Sequence, residues 1–193
     1  MSKQLIMAAV LVLAGNVFFS GCGAPASPSK NVNANGARPA GSVALDEKYF
    51  LKEAPADAKS VSAVKKDAKE GDEVTIRGRV GGRKDDTFTQ GRAMMYLVDM
   101  ELKSCDMRPG DDCPTPWDYC CEEPEHIAKN IATIQVVDAD GKILKSDLKG
   151  SNGIDHLSIV TVRGKVGKRD DPKVLVVSAS GIFVEKPDPK KAN

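Results

Sequence analysis

The sequence predicts a mainly β domain, a small barrel of five short strands, and three observations carry that prediction. First, five segments alternate apolar and polar residues with the period of two that a half-buried strand requires. They are EVTIRGRVGGR (73–83), RAMMYLVDMEL (92–102), IATIQVVDADGKI (131–143), HLSIVTVRGKVGKR (156–169) and KVLVVSASGIFVEK (173–186). Second, the first and fourth segments repeat one another: Val74-Thr75-Ile76-Arg77-Gly78-Arg79-Val80-Gly81 against Val160-Thr161-Val162-Arg163-Gly164-Lys165-Val166-Gly167. Third, Gly78 and Gly164 stand in mid-strand, where glycine marks a bulge or a sharp bend, as in strands that coil around a small barrel.

Each element can be justified in turn. Tyr49, Phe50 and Leu51 form an apolar cluster before Pro55, read as a short strand. In 57–73, Val61, Val64 and Ala68 recur at three- and four-residue spacing and Gly71 can terminate a helix, so a short amphipathic helix is expected. The first strand puts Val74, Ile76, Gly78 and Val80 on one face and Thr75, Arg77 and Arg79 on the other. The third carries a turn at Asp140-Gly141. A repeat present twice is too short for a solenoid, which needs at least three units, and reads as two strands with one structural job. The expected core is Val74, Ile76, Val80, Leu97, Ile134, Val136, Val160, Val162, Val166, Leu175 and Val177.

Five short strands with glycines bending the first and fourth resemble the OB-fold, a five-stranded Greek-key barrel. The helix leading into GDEVTIRGRV resembles the small periplasmic bacterial OB-fold family. The YLVD that ends the second strand and the IATIQVV of the third are similar to OB-fold anticodon-binding domains. The resemblance covers about 57–186 and rests on spacing and glycines, with no catalytic signature. A long Cys-rich loop (103–127) departs from it, standing between strands two and three where such barrels often turn tightly.

Ahead of this domain (43–186) the chain changes character. Residues 5–19, LIMAAVLVLAGNVFF, are apolar and follow Lys3. They fall short of the ~20 residues that span a bilayer, and match the layout of a secretory signal. Phe19-Ser20-Gly21-Cys22 resembles a bacterial lipobox, with Phe19 in place of the usual Leu, which implies a signal peptide over 1–21 and lipidation of Cys22. Residues 22–42 are rich in Gly, Ala, Pro, Ser and Asn, cannot bury a core, and are expected to be a flexible tether; 187–193 are expected to be a disordered tail. The expected location is the cell envelope, with the membrane reached through the lipid anchor. Gly23 after the cysteine resembles sorted lipoproteins and implies an outer-membrane destination facing the periplasm.

Charge narrows the partners. The 193 residues hold 28 Lys plus Arg and 27 Asp plus Glu; Lys3 is the only charge in 1–21, so the remainder is neutral. A dedicated nucleic-acid binder would carry a basic excess, and single strands also need aromatic platforms, yet aromatics make up only 5%. Nucleic acid is not the expected partner. Arg77, Arg79, Arg163 and Lys165 lie on strands expected to be neighbours and are candidates for an anionic-ligand stripe, with a solvated face as the plainer reading. G-x-S-x-G, Walker A, H-E-x-x-H and the dinucleotide fingerprint are all missing from the sequence. His126 and His156 have no nucleophile at motif spacing, so no enzyme is expected.

The loop is the chemically dense part. Residues 105–126 contain Cys105, Cys113, Cys120 and Cys121, the only Trp (Trp117), four prolines and seven acids against one base, Arg108. So few apolar residues cannot order such a segment by burial. Two disulfides are the favoured reading, given the even count and an exported chain. Adjacent Cys120 and Cys121 would strain a mutual bond, so Cys105 and Cys113 are each expected to take one of them. A zinc or copper site on Cys105, Cys113, Cys120 and His126 is the alternative, although the spacing is not the paired C-x2-C of structural zinc sites. A redox-active pair is the third reading, without the C-x-x-C before a helix that lowers a thiol pKa. The sequence therefore reads as a membrane-anchored, non-catalytic binding or interaction module, with no cofactor unless the loop takes a metal. A protein partner or an anionic ligand is possible, and metal or redox handling is the rival.

Overall fold

Hydrogen bonding between the two copies of the repeat closes the barrel. A computed structural model describes residues 43–185; the signal segment, Cys22, the tether and the tail lie outside the described residues. The repeat becomes β2 (Glu73–Val80) and β5 (Ile159–Val166), an antiparallel pair. Ile76 lies opposite Val162, which are equivalent positions of the repeat, so the copies meet about a local two-fold centre; Val74 then faces Gly164 and Gly78 faces Val160.

The other strands are β3 (Met94–Val98), β4 (Ile131–Gln135) and β6 (Val176–Val184). β2 pairs with β3, β3 with β4 and β5 with β6, all antiparallel, while β4 and β6 run parallel. With β2 also bonded to β5 the five strands form a closed Greek-key barrel of the OB-like kind. A two-residue strand, β1 (Lys59–Ser60), adds parallel to β2.

The mid-strand glycines are required by close approach. A Cβ on Gly164 would stand 2.4 Å from the Ser178 carbonyl oxygen, and the β5–β6 register shifts between Arg163 and Gly164. A Cβ on Gly78 would stand 2.6 Å from the Val98 carbonyl oxygen. The barrel interior is filled by the expected residues, all buried except Val74, which is partly buried and packs against them. Leu45, Val61, Val64, Met95, Leu148, Ile154 and Ile182 are among the other members of that core.

Helix α1 (Val61–Asp67) is capped by the Ser60 hydroxyl, which accepts from the Ala63 N–H at 3.2 Å, and buries Val61 and Val64. Asp99 of the YLVD segment holds its first turn, accepting from the Ser62 N–H and hydroxyl at 2.8 Å each. Burial pushes the Asp99 carboxyl up, but these bonds and that from the Glu101 N–H outweigh it and leave the carboxyl below its ordinary value.

The structure revises several sequence expectations. Tyr49-Phe50-Leu51 is not a strand: Glu47–Tyr49 is a 3-10 turn, with one bridge from Phe50 to Ile182. The helix stops at Asp67 rather than reaching Gly71, because Ala68 is already extended. All five strands are shorter than their alternating segments, since alternation continues into turns that no neighbour pairs. A second helix, α2 (Pro124–Asn130), follows the cysteine loop. Its last turn is closed by Lys65 of α1, whose ammonium donates to the Ala128 and Ile131 carbonyls at 2.6 and 2.7 Å.

Candidate metal centre in the cysteine loop

The loop between β3 and α2 is built from two 3-10 turns, Cys105–Met107 and Pro116–Asp118, joined by proline-bearing extended chain. It is better anchored than its composition implies. Tyr119, in the left-handed conformation at φ 57°, is fully buried and forms a second small core with Val98 and Leu102, against Ile127 and Ile131. This corrects the expectation that burial could not order the segment: one aromatic plug does much of that work. The Gly81-Gly82 turn receives it. The Gly82 N–H donates to the Trp117 carbonyl at 2.7 Å, and a Cβ on Gly81 would meet that oxygen at 2.7 Å and the Tyr119 ring at 3.1 Å.

Trp117 carries the second anchor. Its indole N–H donates to the Lys84 carbonyl at 3.1 Å, and its ring stacks on His156 with centroids 4.1 Å apart, while Phe88 meets the other ring partner edge-on at 5.2 Å. Burial first, and then the Lys149 cation, hold the His156 pKa below its ordinary 6.5, against the opposing pull of Asp155. His156 is thus a neutral stacking surface for the loop.

Between these anchors the four cysteines converge. All are free thiols. The Cys120 sulfur lies 3.6 Å from both Cys105 and Cys113 and 3.9 Å from Cys121, and Cys105 lies 3.8 Å from Cys121. The two expected disulfides are therefore not found. A disulfide holds sulfurs about 2.05 Å apart, and Cys120 sits equidistant from two partners, in a cluster that is not sorted into pairs. With zinc–sulfur bonds of about 2.3 Å, the edge of a tetrahedral thiolate site is about 3.8 Å. The observed spacings centre on that value.

Carboxylates join the sulfurs. Cys105, Cys113, Cys120 and Asp118 form one group whose ligand atoms lie within 4.8 Å of one another, and Cys105, Cys121 and Asp111 form another. Both carboxylates are oriented by the backbone: Asp111 accepts from the Cys113 N–H and Asp118 from the Cys120 N–H, each at 2.9 Å. The expected histidine ligand is elsewhere. His126 Nδ1 lies 3.1 Å from Glu122, which also pairs with Arg108, and takes no part in either group.

Two of the thiols, Cys120 and Cys121, are held in their protonated form by their neighbours. Hydrogen bonding to Cys105 and Cys113 pushes the Cys120 thiol well up, and bonding to Asp111 and then Cys105 raises Cys121 to about 11. Only Cys113 is lowered, chiefly by the Thr115 N–H. A cation bound at Cys120 and Cys121 would displace the shared protons.

The basic residues of the repeat do not lie directly opposite one another across the β2–β5 ladder. The two-fold register sets Arg77 opposite Thr161, Arg163 opposite Thr75, Arg79 opposite Ile159 and Lys165 opposite Glu73. Arg77 is further occupied by Glu185, at 2.5 and 2.8 Å. Arg79 turns to the loop, donating to the Ser104 hydroxyl and the Met107 sulfur. Arg163 and Lys165 stay exposed.

No protein-family model matches the chain, and no curated protein matches it. Among solved structures it is similar to an aspartyl-tRNA synthetase from Entamoeba histolytica, at 14% identity and a TM-score of 0.40. That similarity covers 77% of this chain and 28% of the synthetase, so the chain spans less than a third of that protein's length. The functional reading rests on this chain's own residues.

Sequence reasoning found the cysteines but missed Asp111, Asp118 and Tyr119. The signal for the carboxylates was present: each acid lies two residues before a cysteine, the spacing at which a carboxylate accepts from that cysteine's N–H.

Proposed function

We propose that the protein is an exported, lipid-anchored OB-barrel module that binds a thiophilic metal ion, zinc or copper, in its cysteine loop and has no catalytic role of its own. One observation carries the reading: four unpaired sulfurs linked by four contacts of 3.6–3.9 Å (Cys105–Cys120, Cys113–Cys120, Cys105–Cys121 and Cys120–Cys121), the edge length of a tetrahedral thiolate site. The inner ligands are Cys105, Cys113 and Cys120, with Asp118 in the same group. The barrel supplies the frame, and the lipid on Cys22 would hold that frame at the membrane on a flexible tether.

Purification under mild conditions, followed by elemental analysis and intact mass with and without alkylation, tests the metal. Four alkylatable thiols and stoichiometric zinc or copper are expected. A mass lower by four hydrogens with no bound metal would replace this reading with the disulfide-braced interaction module. The anchor has its own test: Cys22→Ala should release the protein from membranes or leave it unprocessed, and unchanged retention and mature size would refute it.

A further inference from the structure

We infer that the loop holds two zinc ions, bridged by the Cys105 thiolate. This rests on the metal reading above and extends it in number, ligand set and arrangement. Cys105 belongs to both ligand groups and is the one fully buried sulfur of the four. On one side it meets Cys113, Cys120 and Asp118; on the other it meets Cys121 and Asp111. A tetrahedral ion has four places, and the loop offers six donors.

Each donor outside Cys105 falls to one side. Asp111 uses Oδ1 for the Cys113 N–H and keeps Oδ2 on the Cys121 sulfur, 3.1 Å away. That S–H to carboxylate contact is where the outer ion fits, by replacing the shared proton. Four thiol protons leave to solvent as the sulfurs bind, and no electron moves.

Charge favours the pair. Four thiolates and two carboxylates concentrate six negative charges in one loop; a single dication leaves four of them uncompensated, and two dications leave two. Mixed sulfur and carboxylate donors suit zinc, whereas copper(I) selects thiolate and thioether alone. The Cys121 group supplies three donors and the Cys120 group four, so the outer ion keeps an open place and exchanges with solvent faster than the inner one.

The test is native mass spectrometry of the reduced full-length chain loaded with zinc alone, with chelator release followed in time. Two zinc ions and a two-phase release of about equal amplitudes are expected. Cys121→Ser, at an exposed position, and Asp111→Asn, at a half-buried one, should each reduce the count to one and remove the fast phase. One ion in the wild type, retained in Cys121→Ser, would overturn the bridged pair and leave the single-ion function standing. Two ions in the wild type with none in Cys121→Ser would overturn the division into inner and outer sites. No zinc in the wild type would overturn the zinc pair, while copper found by elemental analysis of the same protein would leave the single-metal function standing.

Discussion

The barrel and the cysteine loop solve the same problem by opposite means. The barrel orders its chain by removing apolar surface from water: Ile76, Leu97, Ile134 and Ile182 are fully buried in one continuous core. The loop has one such group, Tyr119, and otherwise relies on backbone carbonyls, a Trp117–His156 stack and a knot of sulfurs. Burial is non-directional and tolerates many sequences, whereas a loop held by a few directed contacts fails when one is removed.

That contrast can be broken most severely from the barrel side. Ile134→Ala should cost about 2–5 kcal/mol, the range for emptying a packed core site. Gly164→Ala should cost about 1–3 kcal/mol, because its methyl would press on the Ser178 backbone rather than on a mobile side chain. Urea denaturation followed by far-UV circular dichroism measures both, and a midpoint unchanged in either variant would contradict the packing described.

Acting on the loop should be quieter. Chelation, or Cys113→Ser, is expected to change Trp117 fluorescence while the far-UV strand signal stays as it was. Simultaneous loss of both signals would make the loop part of the barrel's cooperative unit and erase the distinction between the two regions.

A milder probe works through protons. The folded chain holds His156 neutral below the pH at which the unfolded chain takes a proton. The stabilisation from its stack is fully present above about pH 6.5 and falls as pH drops through the lower folded value. Melting temperatures measured from pH 7.5 downward should fall over that window, and His156→Phe should flatten the slope. The smallest effect is expected at Glu185→Gln: the Arg77–Glu185 pair is partly exposed, so its loss should cost under about 1 kcal/mol in a thermal melt.

Most of the barrel was legible in the sequence because its forces are periodic. Alternation located five strands, the OB-barrel resemblance made β2 and β5 neighbours, and the mid-strand glycines marked bends that the structure shows to be close approaches between strands. The ends of the strands were not legible, since pairing stops where a partner strand stops and alternation does not. In the loop the cysteines could be read, and their grouping could not. Whether Cys120 faces one sulfur or three depends on the left-handed turn at Tyr119, and that turn depends on Gly81 leaving room in the distant turn after β2. Lys65 closing the last turn of α2 is equally invisible, because it joins helices that are separated in sequence.

The position of every proposed ligand between Cys105 and Cys121 bears on the energetics of the denatured chain. The β2–β5 ladder joins Ile76 to Val162 across most of the domain, so it vanishes on unfolding. The six donors of the loop are near neighbours in the chain, and closing such short loops costs little entropy even in a disordered chain. An unfolded chain therefore keeps part of its zinc affinity. Ligand linkage stabilises a fold only by the difference in affinity between folded and unfolded states. Saturating zinc should thus raise the melting temperature by less than its dissociation constant for the native protein implies, and the shortfall measures how much of the site survives without the barrel.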